Sequence, residues 1–486
     1  MIDRNHGFVN FQGPVGGIAT SAGAPVTYTE VSNTLNTALI YNNYFMDTMS
    51  HIHRERIPER INHGGGTGAF GYFQVTHDIS HICKADFLNK VGKKTPVAVR
   101  FSPSLSEKGS SELNRDARGF SVKFYTKEGN FDIAGCNAPV YFYKDPLLFV
   151  TFMHAQKRNP ATNLFSRDAV WDTLTLFPES LHAFLRSFSD TGIPANYRYM
   201  PGFGIHTFQV ENKTGHYNFV RFHIIPCAGI KNLMTEEARN ISAEDPHYFT
   251  RDLYRAIGTS NFPCWRVSVQ ILTETDVKRD GPKVFDATRL LPLKKYPLHQ
   301  VGRLILNRNA KNNFAEIEQL AFSPGNIVPG ILGSPDKLYE ARVFAYRDTQ
   351  NYRLGKNFNR IPVNCPFQVR TFTYNRDGRP PVADNEEDIP NYYPNSFHGP
   401  VPYMTKSRSG LINIVEGKAD NFDQTRDFYV NELTHDEKSR VIENIVFSLQ
   451  DVSFASLQKK AIDILSTIHP DLGDRVAQRL NVTMCN

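Results

Sequence analysis

Strand-like runs follow one another between about residues 68 and 300, and they leave few folds open to the chain. The runs are rich in β-branched and aromatic residues: TPVAVRFSP, GFSVKFYT, HTFQVE, NFVRFHIIP and CWRVSVQIL. Helix-like runs such as SRDAVWDTLTL and PESLHAFLRSF lie between them. Strands at this spacing with helical insertions predict an α+β fold, in which an antiparallel β-barrel carries appended helices.

The pattern divides the chain into four predicted segments. Residues 1–67 are predicted to form an N-terminal arm, rich in Gly, Thr, Asn and Ser up to about residue 50, together with the segment that contains His63. Residues 68–309 are predicted to form the barrel with its helical insertions. Residues 310–430 contain many Pro, Asn and Gly, which predicts a long connection wrapping over the surface. Residues 431–486 show helical spacing of apolar residues, which predicts a small bundle of C-terminal helices, with Thr434 as an N-cap candidate three residues before Glu437.

Composition excludes several classes of protein. The net charge is +6 and the basic residues are scattered, so neither nucleic-acid nor membrane binding is indicated. No signal-peptide pattern is evident, and we predict an intracellular protein, cytoplasmic or peroxisomal. The six cysteines are widely spaced and contain no CxxC pair, which argues against a structural zinc site or a disulfide framework: Cys83, Cys136, Cys227, Cys264, Cys365 and Cys485.

Two local patterns carry candidate chemistry. In RVFAYRDTQNYRLG, Arg342 and Tyr346 stand four residues apart, so on a helix they share a face, where the guanidinium would help the phenol to lose its proton. His63 precedes a glycine-rich stretch that lets backbone approach something flat. A packing contact and an ordinary loop histidine are the alternatives.

A third pattern is the alternation within VAVRFS. Val97, Val99 and Phe101 share one face of the predicted strand, and Arg100 and Ser102 share the other. The strand therefore presents a cation and a hydroxyl on the same side. Four arginines are candidate partners for the carboxylates of a charged ligand: Arg60, Arg100, Arg342 and Arg353. The alternative is that these arginines form ordinary surface salt bridges.

Together these runs closely resemble the haem catalases, from about residue 20 to the end of the chain. The runs that carry the resemblance are RIPER, GAFGYFQVTHDI, VAVRFS, RDARGFSVKFYT, HAQKRNP, PESLH, GIKNL, LNRN, FAEIEQLAFSP and RLG followed by IPVNCPF. The resemblance implies the haem catalase fold with haem b as cofactor. It also implies the following roles: His63 as distal histidine, Ser102 as its hydrogen-bonding partner, Phe149 as the ring stacked on the porphyrin, Tyr346 as axial iron ligand, Arg342 beside the tyrosinate, and Arg60, Arg100 and Arg353 as propionate partners.

The sequence departs from the catalase pattern beside the distal histidine. Catalases place the first Asn of a GNN tripeptide over the haem, whereas this chain has Gly135, Cys136 and Asn137. The Cys136 thiol is a weak hydrogen-bond donor and can be oxidised. Asn137 could take the place of the family's asparagine only through a one-residue shift of the strand, and such a shift turns its side chain to the other face. The family's valine before the distal histidine is Asn62 here. Both departures predict a changed reaction.

A second departure concerns a surface cleft in which many small-subunit catalases bind NADPH. The matching positions are Thr191, Ile225, Leu291 and Leu293, which lack the cations that hold phosphates. NADPH binding at this site is therefore not expected. We predict instead an apolar cleft that suits an organic molecule.

Three functions follow as hypotheses. The departures favour a haem oxidoreductase of specialised metabolism that uses dioxygen, superoxide or peroxide on an organic substrate, similar to the catalase-like chanoclavine synthases of fungal ergot-alkaloid biosynthesis. The alternatives are a working catalase, which converts hydrogen peroxide to water and dioxygen, and a haem-binding protein without turnover. The resemblance further implies a homo-oligomer, either a tetramer or a dimer.

Overall fold

The computed structural model describes residues 16–36, 38–381, 386–403 and 420–481. Two compact units are present, residues 1–58 and residues 59–486. In the first unit, the described residues contain helices α1 (Tyr28–Ser32) and α2 (Asn43–Ile52). The Asn42 side chain caps α2 by accepting the Phe45 N–H at 2.9 Å. The predicted arm thus carries a capped helix that the sequence analysis did not foresee.

The second unit is built on ten strands: β1 (Thr67–Val75), β2 (Lys94–Pro103), β3 (Arg118–Thr126), β4 (Gly129–Cys136), β5 (Gly202–Phe203), β6 (Phe208–Glu211), β7 (Tyr217–Pro226), β8 (Cys264–Thr273), β9 (Leu298–Asn309) and β10 (Ile331–Gly333). The sheet order is β10-β6-β7-β5-β4-β3-β2-β1-β9-β8, and β8 also pairs with β7. That last pairing closes the sheet, and the paired strands are antiparallel. The prediction of an α+β fold with an antiparallel barrel is confirmed.

Helices occupy the connections and the C-terminal part of the second unit: α3 (Leu148–Gln156), α4 (Arg167–Leu176), α5 (Leu181–Phe188), α6 (Thr235–Glu244), α7 (Tyr248–Gly258), α8 (Glu274–Asp280), α9 (Lys337–Leu354), α10 (Asp423–Asp427), α11 (His435–Leu449), α12 (Ala455–Ile468) and α13 (Pro470–Leu480). Thr434 is the N-cap of α11, and it forms the capping box with Glu437 that the sequence predicts.

The barrel interior is a core of aromatic and β-branched side chains. Val97, Val99 and Phe101 of β2 point into it and are almost fully buried. Trp265 is fully buried in this core, and its Nε1 donates to the Met200 carbonyl at 3.0 Å. Arg100 and Ser102 lie on the other face of β2, as the alternation predicts, and they too are buried. The outer face of β2 is therefore covered, which makes it a place for a buried polar site.

A second core joins the C-terminal helices to α3, α4 and α5. It contains Trp171, whose Nε1 donates to the Ser448 hydroxyl of α11 at 3.2 Å. Within the predicted connection, residues 310–430, the structure shows β10 and the long helix α9, which bears Arg342 and Tyr346. Gly355, at φ 89°, ends α9 in a backbone conformation that L-residues with side chains rarely adopt. Among the described residues, no helix is both long and apolar enough to cross a membrane.

Candidate active site

A cavity of about 1830 Å³, hereafter the central cavity, lies on the covered outer face of β2, β3 and β4 and extends to α3 and α9. It brings together nine of the predicted site residues: Arg60, Asn62, His63, Arg100, Ser102, Cys136, Phe149, Arg342 and Tyr346. Six others do not line it: Asn137, Arg353, Thr191, Ile225, Leu291 and Leu293. Residues more than 280 positions apart in sequence thus share one cavity.

The loop before β1 holds His63 in the cavity. The His63 backbone has φ 61°, a left-handed conformation that costs free energy for a residue with a side chain. Its N–H donates to the Ser104 carbonyl at 2.9 Å. The Arg100 guanidinium donates to the carbonyl oxygens of His63 and Gly65, both at 2.9 Å. These bonds fix the strained loop, so the imidazole is preorganised.

Three neighbouring strands, β2, β3 and β4, each contribute one small residue to a row beside the His63 ring. Ser102 pairs with Gly119 across β2 and β3, and Gly119 pairs with Cys136 across β3 and β4. The Ser102 Oγ lies 3.1 Å from His63 Nδ1. A Cβ on Gly119 would come within 3.0 Å of His63 Cε1 and 2.8 Å of Ser102 Oγ. Glycine is therefore required at the middle of the row, because the imidazole occupies the space of a side chain.

The environment keeps the imidazole neutral. Burial, followed by the positive charge of Arg100, lowers the pKa of His63 to about 3. Since Ser102 engages Nδ1, Nε2 is the ring nitrogen left for a substrate. The ring is therefore neutral at neutral pH, and the lone pair on Nε2 is free to accept a hydrogen bond or, transiently, a proton.

Cys136 occupies the end of the row and lines the central cavity. Its thiol donates to the Ala138 carbonyl with Sγ at 3.3 Å, and burial raises the pKa of the thiol to about 11. Asn137 does not take over the position: its Oδ1 accepts the Arg118 N–H at 2.8 Å, and its Nδ2 donates to the Thr191 carbonyl at 3.4 Å. The cavity thus receives a protonated thiol from β4 instead of an amide, and Asn62 adds an amide next to His63.

Helix α9 supplies the second functional group of the cavity. The predicted i, i+4 pairing is present: Arg342 Nη2 lies 3.3 Å from the Tyr346 hydroxyl, and it also donates to the Ala134 carbonyl at 2.7 Å. Burial alone would lower the pKa of Arg342, but Tyr346 and then Tyr141 outweigh it and raise the pKa. A guanidinium that stays charged beside the phenol favours the phenolate.

Two residues that the sequence analysis missed hold Arg342 in place. Arg342 Nη1 donates to His206 Nε2 at 2.8 Å, so the His206 proton is on Nδ1 and points to the Asp336 carboxylate at 3.1 Å. Asp336 is also the N-cap of α9 and accepts the Tyr339 N–H at 2.7 Å. One carboxylate therefore orients both the helix and, through His206, the arginine beside Tyr346.

A cluster of arginines tests whether a haem fits. Arg60, Arg100 and Arg353 lie together, and the carboxylate that Arg60 and Arg353 share is Glu318, at 3.5 and 3.6 Å. Among the described residues, Arg60 Nη1 and Arg100 Nε are buried without a hydrogen-bond partner. Burial, and then Arg60, lower the pKa of Arg100. The same carboxylate also pairs with Lys108 at 3.8 Å, so the cluster keeps an excess of positive charge, which suits the two propionates of a haem.

The four predicted cleft residues are not gathered in the central cavity. Leu291 is buried in a cluster with Phe219 and Phe285, whereas the Leu293 side chain is 58% exposed. The Thr191 hydroxyl donates to the Arg186 carbonyl at 2.8 Å, so it is already engaged. An apolar substrate cleft at these positions stays a prediction.

Other residues of the site also escaped the sequence analysis. Tyr141 and Tyr143 line the cavity with hydroxyls 3.3 Å apart, and Glu318 joins the arginine cluster. The signal for Gly119 was present in the sequence, since a glycine inside a strand marks a close approach of other groups. Nothing local marked His206 or Asp336, which lie 130 residues apart.

The central cavity thus brings together a neutral histidine, a tyrosine beside an arginine, and a positively charged arginine cluster. This set of groups fits a haem oxidoreductase of the catalase type. Comparisons with known proteins agree. The family model described as Catalase matches residues 19–399, and one described as Catalase-related immune-responsive matches residues 415–480. The chain therefore belongs to the catalase family.

Individual relatives cover nearly the whole chain. Catalase from Sus scrofa is 46% identical over 449 residues, which is 91% of this chain and 85% of that protein. Catalase from Drosophila melanogaster is 44% identical over 96% of this chain and 94% of its own length. In the solved structure of catalase A from Saccharomyces cerevisiae, the chain is 37% identical to this one, and the two superpose with a TM-score of 0.87 over 96% of this chain and 99% of that chain. The prediction of a haem oxidoreductase with the catalase fold is confirmed.

Proposed function

We propose that this chain binds haem b in the central cavity and decomposes hydrogen peroxide to water and dioxygen. The observation that carries the proposal is a neutral His63, held by Ser102, in the same cavity as the Arg342 and Tyr346 pair. The relatives reported above are named catalase, and they favour this function over the alkaloid-forming one. The suggested similarity to chanoclavine synthases gains no support from them.

The chain's residues divide the binding of haem between them. Tyr346 would ligate the iron, with Arg342 stabilising the phenolate. The propionates would be held by the arginine cluster, and Phe149 of α3 lies on the cavity wall where a ring could stack on the porphyrin. Bound haem supplies the redox chemistry that lets one peroxide be reduced and a second be oxidised.

The protein's part in the reaction is to move protons at one atom. His63 Nε2 accepts a proton from an incoming peroxide and returns it to the departing oxygen. The hydrogen bond from Nδ1 to Ser102 keeps the ring oriented through both transfers. Because the pKa of His63 is lowered to about 3, the ring returns to its neutral form after each turnover.

Cys136 and Asn62 bear on the rate of peroxide decomposition and on a second candidate function. Cys136 has no side-chain amide N–H to offer peroxide, and its thiol hydrogen is directed to the Ala138 carbonyl. We therefore propose slower peroxide decomposition than in a catalase with an asparagine there. The same departures favour oxidation of a small organic molecule by peroxide as the second candidate, because the cavity wall carries a thiol and an added amide at these two positions. The proposed assembly is a homo-oligomer inside the cell.

The test combines haem absorption with oxygen evolution. The purified protein should show a Soret band and release dioxygen from peroxide. Tyr346→Phe should lose the band and the turnover, because the phenol oxygen is removed while the ring is kept. The matched control is Tyr254→Phe on α7, an exposed tyrosine that does not line the central cavity, and it should change neither. Haem without dioxygen release would refute the catalase proposal and leave the second candidate, tested with phenolic donors.

A further inference from the structure

Two cysteines that the site does not use face each other where β7 and β8 begin to separate. Pro226 pairs with Trp265 in the antiparallel register, so the next residues, Cys227 and Cys264, are directly opposite. The Cys227 N–H donates to the Cys264 carbonyl at 2.9 Å, which continues the ladder by one pair. Opposed residues in antiparallel strands have Cα atoms about 4.5 to 5.5 Å apart, within the range of disulfide-bonded cysteines.

Both thiols lie on the outer side of the barrel. Trp265, the residue after Cys264 in β8, is fully buried, so alternation turns Cys264 outward together with Arg266. Cys227 is exposed and Cys264 is partly exposed, and neither is in a disulfide. The two thiols are near enough to hydrogen-bond, and burial and this bond raise the pKa of Cys264 to about 12. Cys264 keeps its proton, and Cys227 is the thiol that an oxidant meets first.

We propose that Cys227 and Cys264 form a reversible disulfide with hydrogen peroxide as the oxidant. In the first step, the Cys227 sulfur attacks peroxide: the O–O bond breaks, an S–O bond forms, and water leaves with the thiol proton. The Cys264 sulfur then attacks the Cys227 sulfenic acid: an S–S bond forms, the S–O bond breaks, and the Cys264 proton leaves in a second water. Two thiols are oxidised by two electrons and one peroxide is reduced to two waters.

The site is independent of the haem site and of the proposed function. Cys227 and Cys264 are 37 positions apart in sequence, so spacing alone gave no sign of the pair. The nearby guanidiniums of Arg303 and Arg266 act to lower the pKa of Cys264, although burial and Cys227 outweigh them. The same cations attract the anionic sulfur that forms during exchange with a reducing thiol, which favours reversal.

Differential alkylation of the full chain, before and after exposure to a steady supply of peroxide, tests the proposal. The reduced, denatured protein should titrate six thiols, and the oxidised protein four. Mass spectrometry should show one peptide pair joined through Cys227 and Cys264, lost on treatment with dithiothreitol. Diamide, which the haem does not consume, serves as a second oxidant. If neither reagent produces the disulfide, the proposed pairing is wrong. If diamide produces it and peroxide does not, peroxide is not the oxidant.

Variants separate this pair from general thiol oxidation. Cys264→Ser should abolish the cross-link and leave Cys227 as a sulfenic acid that dimedone traps. The matched control is Cys365→Ser, which removes another partly exposed free thiol and should keep the cross-link. Cross-links between two chains through Cys227, in place of the internal bond, would also overturn the proposal. All readouts are masses of peptides, so they remain informative whether or not the protein turns over peroxide.

Discussion

Replacing Cys136 by Asn should raise the rate of peroxide decomposition. Cys136 lies at the end of the row formed with Ser102 and Gly119, and its side chain is 7% exposed. Its thiol hydrogen is used by the Ala138 carbonyl, so no donor is directed at a substrate. Asparagine has nearly the same volume and adds an N–H. A preorganised donor is worth about 10² to 10³ in kcat, or roughly 2.7 to 4 kcal/mol of barrier.

The assay is the initial rate of dioxygen release per haem, with haem content measured from the Soret band of each preparation. Cys136→Ala is the control, since it removes the thiol without adding a donor, and its rate should stay within a few-fold of the parent. A rate for Cys136→Asn that equals the parent rate at equal haem content would refute the reasoning. So would an equal increase in Cys136→Ala, because the effect would then come from space and not from a donor.

Three further predictions follow from the geometry. Gly119→Ala should keep haem but lose turnover by roughly 10²-fold, because the added Cβ displaces the His63 ring. Dioxygen release should be independent of pH between about 5 and 9, because His63 with its lowered pKa of about 3 stays neutral there. Lys123→Met should destabilise the fold by about 3 to 5 kcal/mol in urea unfolding, because it leaves the fully buried Asp132 carboxylate without its cation.

Each of these measurements has an outcome that contradicts it. Full turnover in Gly119→Ala would mean that His63 is not held against β3. An acid limb near pH 6.5 in the rate profile would mean that the imidazole titrates as in water. For stability, Lys337→Met is the control: this lysine is exposed and pairs with Glu340 on the helix surface, so its loss should cost less than about 1 kcal/mol.

The sequence could predict what depends on local periodicity. The alternation in β2 placed Arg100 and Ser102 on one face, and the four-residue spacing placed Arg342 beside Tyr346, because strand and helix periods are fixed by the backbone. It could not predict that His206 meets Asp336, or that Cys227 meets Cys264. Those contacts depend on which strands become neighbours and in what register, and a single sequence does not encode register locally.

The arginine cluster links cofactor binding to the stability of the fold. Glu318 contacts both Arg60 and Arg353, and Arg100 lies close enough to Arg60 for their charges to repel. Backbone carbonyls accept hydrogen bonds from some of the guanidinium N–H groups; for example, the Glu318 carbonyl accepts from Arg60 Nη2 at 2.9 Å. A carbonyl carries no net charge, however, so it does not neutralise the guanidinium. A dianionic ligand would offset the repulsion and accept hydrogen bonds from Arg60 Nη1 and Arg100 Nε, which have no hydrogen-bond partner, and the unfolded chain has no such site. Ligand binding must then stabilise the folded state by mass action. A variant that weakens the arginine cluster should therefore show a fall in thermal stability that parallels its loss of bound haem.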